Sequence, residues 1–250
     1  MDINSFLTTL VATDNPLLPS PTAMRVALHG VWALVLGCGV LLGTGKLSRP
    51  YRLGSSLLVM AWTLMPGSAS PAYWLGLAFQ TPSLMSAVIC LAWFLDRARR
   101  KDSGGVRVAV PHVPALKILV TAGIGLGWVQ LLDTLAWFPV PVYTWGFSSA
   151  AFGAVAVLVT LLWVFFGAAG ANRKAPGWGG LALPLAVLTL FVLTRLPTGN
   201  VWDALIDPWL WVALQVGWLI SAARRLTLSR LVRYQPLVPE QPGLGIPEVA

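Results

Sequence analysis

The sequence contains few charged residues, and this shortage decides the class of protein. Charged residues make up 10% of the 250 residues, whereas soluble domains contain about 25%. So few charges cannot cover the surface of a soluble globule of this size, because such a surface must be hydrated. Hydrophobic residues make up 56% and occur in continuous runs, which excludes the alternating pattern of a membrane β-barrel. The composition therefore predicts an all-α integral membrane protein.

Cysteine and histidine are also scarce, which argues against disulfide, haem and zinc sites. Cys38 and Cys90 lie within apolar runs, where small buried side chains are expected rather than a disulfide. His29 and His112 are predicted on opposite sides of the membrane, so they cannot pair as haem ligands. No spacing of Cys and His indicates zinc, and the sequence has no phosphate-binding loop or hydrolase motif. We therefore expect no metal and no cofactor.

Seven apolar runs predict a bundle of about seven transmembrane helices. They cover roughly residues 24–44, 51–66, 81–96, 116–138, 148–169, 179–196 and 208–224. The second and third runs are short for a span, which takes about 20 residues. A five-span bundle in which these two runs form a re-entrant pair is the alternative.

The runs divide the chain into three parts. Residues 1–23 form an extracytoplasmic lead segment, residues 24–225 the transmembrane domain, and residues 226–250 a cytoplasmic Pro-rich tail. The lead is polar and acidic and has no basic segment before an apolar core, so no cleavable signal peptide is expected. An uncharged loop is predicted at 67–80.

The basic residues fix the orientation. With the N-terminus outside, only Arg25 and Arg195 of the 17 Lys and Arg residues fall on the outer side. This asymmetry follows the positive-inside rule and favours an odd number of spans. It also accounts for the net charge of +8 without any nucleic acid. The prediction is a multi-pass protein of a bacterial-type inner membrane, surrounded by lipid and by other membrane subunits or further copies of itself.

The fourth run contains the one acid expected well inside a span. Asp133 is predicted about five residues from the outer end of its helix, roughly 7–8 Å below the interface. Gln130 lies three residues earlier, and Gly123, Gly127, Gln130 and Thr134 share one stripe at helical spacing. The site either moves a proton or solute, or it is a polar contact that fixes helix packing. In the first run, Gly39 and Gly43 have the spacing that permits a close helix approach.

A second polar cluster surrounds the start of the seventh run. Asn200 is predicted to cap a helix that holds Asp203 at its third position, and Asp207 to cap the helix that Pro208 begins. Arg195 then needs a partner, which either acid could supply. A cap at Asp207 predicts that Asn or Ser can replace it, whereas an ion pair predicts that they cannot.

Tryptophans concentrate in the same stretch. Trp202 and Trp209 are typical of the aromatic belt at a membrane interface. Asp207, Trp211, Gln215 and Trp218 fall along one helix face, which is predicted to contact protein. Seven spans with an outside N-terminus resemble microbial rhodopsins, but the last run lacks the lysine that holds retinal, so we discard this resemblance.

Three functions are compatible with these features. The first is a non-catalytic subunit or assembly partner of a larger inner-membrane complex, because no catalytic set and no long loop is present. The second is a small transporter or channel that uses Asp133 and Gln130. The third is a membrane enzyme acting on a lipid-linked substrate at a rim of Arg195, Asp203 and Asp207. Trp211 and Gln215 are further binding candidates.

Overall fold

The computed structural model describes residues 16–99, 114–170 and 179–233, together with residues 8, 12 and 13. In this part of the chain 79% of the residues are helical and none forms a strand. The all-α prediction is therefore confirmed for the described residues. One helix, Pro21–Gly43, is long and apolar enough to cross a membrane by length and composition. The count of about seven spans stays a prediction.

The helices match the apolar runs closely. In chain order they are α1 (Pro21–Gly43), α2 (Arg49–Thr63), α3 (Pro71–Phe79), α4 (Leu84–Arg99), α5 (Pro114–Thr134), α6 (Val142–Trp145), α7 (Ser149–Gly170), α8 (Gly179–Thr194), α9 (Val201–Leu205) and α10 (Pro208–Arg233), with a 3₁₀ turn at Gly67–Ala69. Each predicted run corresponds to one long helix, because uninterrupted apolar sequence favours a helix that satisfies its own backbone.

Among the described helices, α1 meets the test for a span by length and hydropathy together. It has 23 residues with a mean hydropathy of 2.0. In contrast, α2 has 15 residues, about 22 Å at 1.5 Å per residue, against a hydrocarbon core of about 30 Å.

Several helices begin at a side-chain cap, and a serine followed by proline marks two of these starts in the sequence. The side chain of Ser20 accepts a hydrogen bond from the Ala23 N–H at 3.2 Å, and proline follows at the first helical position. Ser70 repeats this arrangement by accepting from the Ala72 N–H at 3.1 Å at the start of α3. The predicted loop at 67–80 is therefore wrong over α3, and the Ser70–Pro71 pair was the signal for its start.

The helices pack into a bundle around α4 and α8. Helix α1 lies against α2 and α4, α8 contacts α4, α5 and α7, and α10 packs on α5. Short α9 closes one end of the bundle against α4 and α8. The core lies at this end, and its buried members are Leu84, Val159, Val187, Leu188, Phe191, Val201 and Ala204.

The close approach of α1 and α2 uses a different glycine from those predicted. The Ser56 hydroxyl donates to the Gly37 carbonyl at 2.8 Å, and a Cβ on Gly37 would lie 2.6 Å from Met60 Cγ. A Cβ on Gly39 or Gly43 would meet open space, so the predicted contact through these two residues is wrong. The helix presents the neighbouring face to α2.

The cysteines agree with the sequence-based prediction. Both are free thiols, and the Cys38 thiol donates to the Cys90 carbonyl at 3.2 Å between α1 and α4. They act as small packed side chains at a helix contact.

The last helix is longer than predicted. It continues to Arg233, so the predicted helix end at 224 is wrong. The rest of the tail, most of residues 1–23 and the basic segment with His112 lie outside the described residues.

Candidate functional site

A cavity of about 560 Å³ lies where α3, α5, α6, α9 and α10 meet at one end of the bundle. We call it the α5–α10 pocket. It is lined by Ala78, Phe79, Gln80, Thr81, Gly127, Gln130, Leu131, Thr134, Tyr143, Thr198, Asp203, Ile206, Asp207, Pro208 and Trp211. This volume is in the range of sites that bind small molecules.

The pocket gathers part of the predicted set. Its lining includes Gln130, Asp203, Asp207 and Trp211. The predicted residues outside the lining are Asp133, Arg195 and Gln215. The two polar clusters on the fourth and seventh runs therefore contribute to one cavity, although neither does so completely.

Asp207 joins α10 to the start of α4. Its Oδ1 accepts from the backbone N–H groups of Trp209 and Leu210, each at 2.9 Å, so the predicted cap is confirmed. Its Oδ2 accepts from the N–H of Ser83 at 2.9 Å and from the hydroxyls of Ser83 at 2.6 Å and Ser86 at 2.5 Å. The side chain is only 8% exposed, and five donors compensate its desolvation.

Arg195 does not take part in this arrangement. Its guanidinium lies 5.4 Å from the centroid of the Phe191 ring, a cation–π contact. Its backbone has a φ of 57° and ends α8, with its N–H donating to the Phe191 carbonyl at 2.7 Å. The alternative of an ion pair between Arg195 and Asp207 is therefore wrong.

Asp203 is held by two hydroxyls. Its Oδ2 accepts from the phenol of Tyr143 at 2.8 Å and from the hydroxyl of Thr198 at 2.5 Å. Burial raises the pKa of Asp203 above its usual value, and the two hydroxyl donors oppose this rise. Burial also raises the pKa of Tyr143, helped by the negative charge of Asp203, so the phenol stays a donor.

Asn200 positions Tyr143 against α9. Its Oδ1 accepts from the Trp202 N–H at 2.9 Å, which confirms the predicted cap of α9. Its Nδ2 donates to the Tyr143 carbonyl at 2.9 Å, and the indole of Trp202 donates to the Val142 carbonyl at 3.1 Å. Because Asn200 is fully buried, these bonds fix α6 at the pocket wall.

Asp133 also holds α6, by accepting hydrogen bonds at the start of this helix. Its carboxylate accepts from the N–H of Val142 at 2.9 Å and from the N–H of Tyr143 at 2.7 Å. Helix α5 ends at Thr134 and not at 138, since Ala136 has a φ of 55° and turns the chain. The predicted distance of about five residues from the helix end is wrong, because Asp133 lies in the last turn of its helix.

Three of the four residues of the predicted stripe on α5 face the pocket. Gly127, Gln130 and Thr134 all belong to the lining. The amide nitrogen of Gln130 is buried and has no hydrogen-bond partner. Trp211 covers Gly127, and its indole donates to the Ile124 carbonyl at 3.2 Å. Gln130 thus contributes to the pocket wall a side chain whose buried donor has no acceptor.

The predicted protein-facing side of α10 is only partly confirmed. Trp211 and Gln215 are half-buried. Trp218, three residues further, is 56% exposed, so this chain itself does not cover it and its predicted contact with protein stays a prediction.

Sequence reasoning missed the partners of the two acids. Ser83, Ser86, Tyr143 and Thr198 complete the site, and none was predicted. Ser83 and Ser86 lie three residues apart at the start of an apolar run, which places both on one helix face. That pattern was a usable signal, whereas Tyr143 and Thr198 lie in connecting segments without periodicity.

The described residues include no group of three or more His, Cys, Asp or Glu that could hold a metal. The pocket therefore offers hydrogen bonds, carboxylate charge and aromatic surface as its means of recognition. No family model, no curated protein and no solved structure matches the chain.

Proposed function

We propose that the chain is a multi-pass protein of a bacterial-type inner membrane that binds a small polar solute in the α5–α10 pocket. In this proposal the seven long helices cross the bilayer, with the N-terminus outside and the C-terminus in the cytoplasm. The pocket then opens on the extracytoplasmic side, as the binding site of a small transporter or solute-binding subunit.

The exposed surface supports a lipid environment. Leu58 is 71% exposed, Phe165 68% and Leu193 76%, and they belong to three different long helices. Large apolar side chains on several helices of one bundle indicate lipid or partner contact rather than water. Short helices such as α2 are accommodated where the bilayer thins or flanking side chains reach the interface.

The distribution of basic residues supports the orientation. The turn between α1 and α2 holds Lys46, and Arg49 and Arg97 lie at the opposite end of the bundle from the pocket. The Arg49 guanidinium donates to the Ala98 carbonyl, so the start of α2 and the end of α4 bring their basic residues to the same end of the bundle. The positive-inside rule assigns this face to the cytoplasm.

The observation that carries the binding proposal is the buried, unpartnered amide nitrogen of Gln130, a residue in the wall of a polar cavity. A buried donor without an acceptor costs free energy unless a ligand or water supplies one. The carboxylate of Asp203 and the ring of Trp211 border the same space. Convergent polar groups in a preformed cavity are typical of a small-molecule site.

The exposed part of α10 favours a second candidate function, a non-catalytic subunit of a larger membrane complex. Val216, Trp218, Leu219 and Ile220 are each about half exposed. Consecutive residues point in different directions around a helix, so this part of α10 is open on several sides. Purification in mild detergent tests this role, because a subunit brings stoichiometric partners with it.

Cysteine labelling tests the pocket and the topology together. In a Cys38→Ala, Cys90→Ala background we expect Thr134→Cys, at the pocket rim, to react with a membrane-impermeant maleimide in intact spheroplasts. Ser48→Cys, in the turn between α1 and α2, should react only after permeabilisation. Leu158→Cys, exposed on α7, should react in neither condition, because lipid covers it.

Two outcomes contradict the proposal. Labelling of Thr134→Cys only after permeabilisation would place the pocket on the cytoplasmic side. Equal labelling of Leu158→Cys and Thr134→Cys would mean that α7 is not in contact with lipid.

A further inference from the structure

The walls of the α5–α10 pocket carry charge of one sign. Asp203 and Asp207 belong to the lining, which contains no Lys, Arg or His. The nearest basic side chain along the chain, Arg195, lies against Phe191 instead. A ligand that enters this space therefore meets negative charge without a protein cation to balance it.

The carboxylates of Asp203 and Asp207 differ in whether they have an oxygen free to accept a hydrogen bond from a ligand. Both oxygens of Asp207 are occupied by protein donors. The hydrogen bonds of Asp203, from Tyr143 and Thr198, both end on Oδ2. The Oδ1 of Asp203 is therefore the carboxylate oxygen available for a donor on the ligand.

The other pocket groups complement this oxygen. Trp211, Tyr143 and Phe79 supply aromatic surface, which attracts a cation over the ring face. The buried amide nitrogen of Gln130 supplies a donor that lacks an acceptor. The site thus matches a cation that also carries a hydrogen-bond acceptor.

We propose that the α5–α10 pocket binds a small organic ammonium ion, a protonated amine with a hydroxyl or carbonyl group close to the charge. The ammonium group lies at Asp203 Oδ1 and the acceptor group at Gln130. This inference rests on the proposed function of the pocket as a solute site and adds the class of solute.

Other ligand classes fit less well. An anion would be repelled by both carboxylates, and a neutral polyol would leave the desolvated charge of Asp203 unbalanced. A metal ion prefers several free oxygens, but the oxygens of Asp207 are already filled by donors. Of these classes, only the ammonium ion supplies both a positive charge and N–H donors for the Asp203 carboxylate.

The inference predicts a direction for the pH dependence. The amine binds the ionised form of Asp203, so affinity falls as the pH falls through the pKa of Asp203, which burial raises. Within the pocket lining, the titratable groups besides Asp203 are Tyr143, which donates to it, and Asp207. Tyr143 stays protonated through the neutral range, because burial raises its pKa as well.

The test uses the purified full chain in mild detergent and three matched probes. Ethanolamine, ethylene glycol and glycolate have nearly the same size and carry a positive, zero and negative charge. We expect ethanolamine alone to raise the melting temperature and to give heat on calorimetric titration. Asp203→Asn should weaken ethanolamine binding about tenfold to a hundredfold, since a hydrogen bond to a charged group is lost. Asp96→Asn, the same change at an exposed acid near the end of α4 and outside the lining, should leave the affinity unchanged.

The same probe separates two sources of the amine. In nanodiscs of phosphatidylglycerol, a free amine is the ligand if added ethanolamine still stabilises the protein. Stabilisation by phosphatidylethanolamine nanodiscs without added ethanolamine would identify the lipid headgroup. Either result supports an ammonium site.

Two results overturn the inference. Binding of ethylene glycol or glycolate in preference to ethanolamine would keep the pocket as a solute site but show that its ligand is not a cation. An absence of any ethanolamine effect in wild-type protein, in detergent and in both lipids, would also reject the cation. The labelling of Thr134→Cys reports on the proposed function independently of these measurements.

Discussion

Replacing Asp207 by alanine is expected to lower the free energy of unfolding by about 3–5 kcal/mol, the largest effect of any single exchange around the pocket. The carboxylate accepts five hydrogen bonds from α4 and α10 and is 8% exposed. Alanine leaves the Ser83 N–H and the first N–H groups of α10 without partners in a buried position. Thermal unfolding in detergent measures the loss.

Asp207→Asn should recover only part of this stability. Its single carbonyl oxygen can serve the start of α10 or the serines of α4, but not both. The expectation that a neutral cap rescues most of the loss is therefore too simple. In the double variant Ser83→Ala, Ser86→Ala, the Asp207→Asn change should cost less than in wild type, because two of its donors are gone. If Asp207→Ala melts like wild type, Asp207 does not join α4 to α10.

Gly127→Ala is expected to destabilise the protein by about 1–3 kcal/mol. The added Cβ would lie 2.2 Å from Cδ1 of Trp211, so the indole must move and give up its bond to the Ile124 carbonyl. Because Trp211 lines the pocket, the same shift should weaken binding of ethanolamine. Thermal unfolding and calorimetric titration measure the two effects.

Gly125→Ala is the matched control on the same helix. A Cβ there meets open space, and alanine is favoured over glycine in a helix by about 1 kcal/mol. We therefore expect Gly125→Ala to be as stable as wild type or slightly more so. Equal stability of the two variants would show that α5 and α10 do not meet through Gly127.

The sequence predicted the long helices well, because uninterrupted apolar runs leave few other options. Asn200 and the Asp207–Pro208 pair marked helix starts through local chemistry that needs no tertiary information. The end of α5 was missed, because the positive φ of Ala136 depends on the contact between Asp133 and α6. Charges in its last turns likewise hid the true end of α10 at Arg233.

The site was predicted as separate residues and not as a constellation. Gln130 and Asp203 were singled out as rare polar groups in apolar surroundings, and both line the pocket. Gln130 lies on α5 and Asp203 on α9, so their meeting depends on how the helices pack around the pocket, which hydrophobic periodicity does not predict. Ser83 and Ser86 are more than 120 residues from Asp207 along the chain, so only the fold reveals their bonds.

Reporter fusions test the central claim, that the pocket end of the bundle faces outward across a multi-span membrane domain. A fusion after residue 75, within α3 beside the pocket, is predicted to be active outside the cytoplasm. Fusions after residues 105 and 235 are predicted to be active in the cytoplasm. A cytoplasmic signal at residue 75 would contradict the account, because α2 and α4 would then not both cross the membrane and the pocket would not face outward.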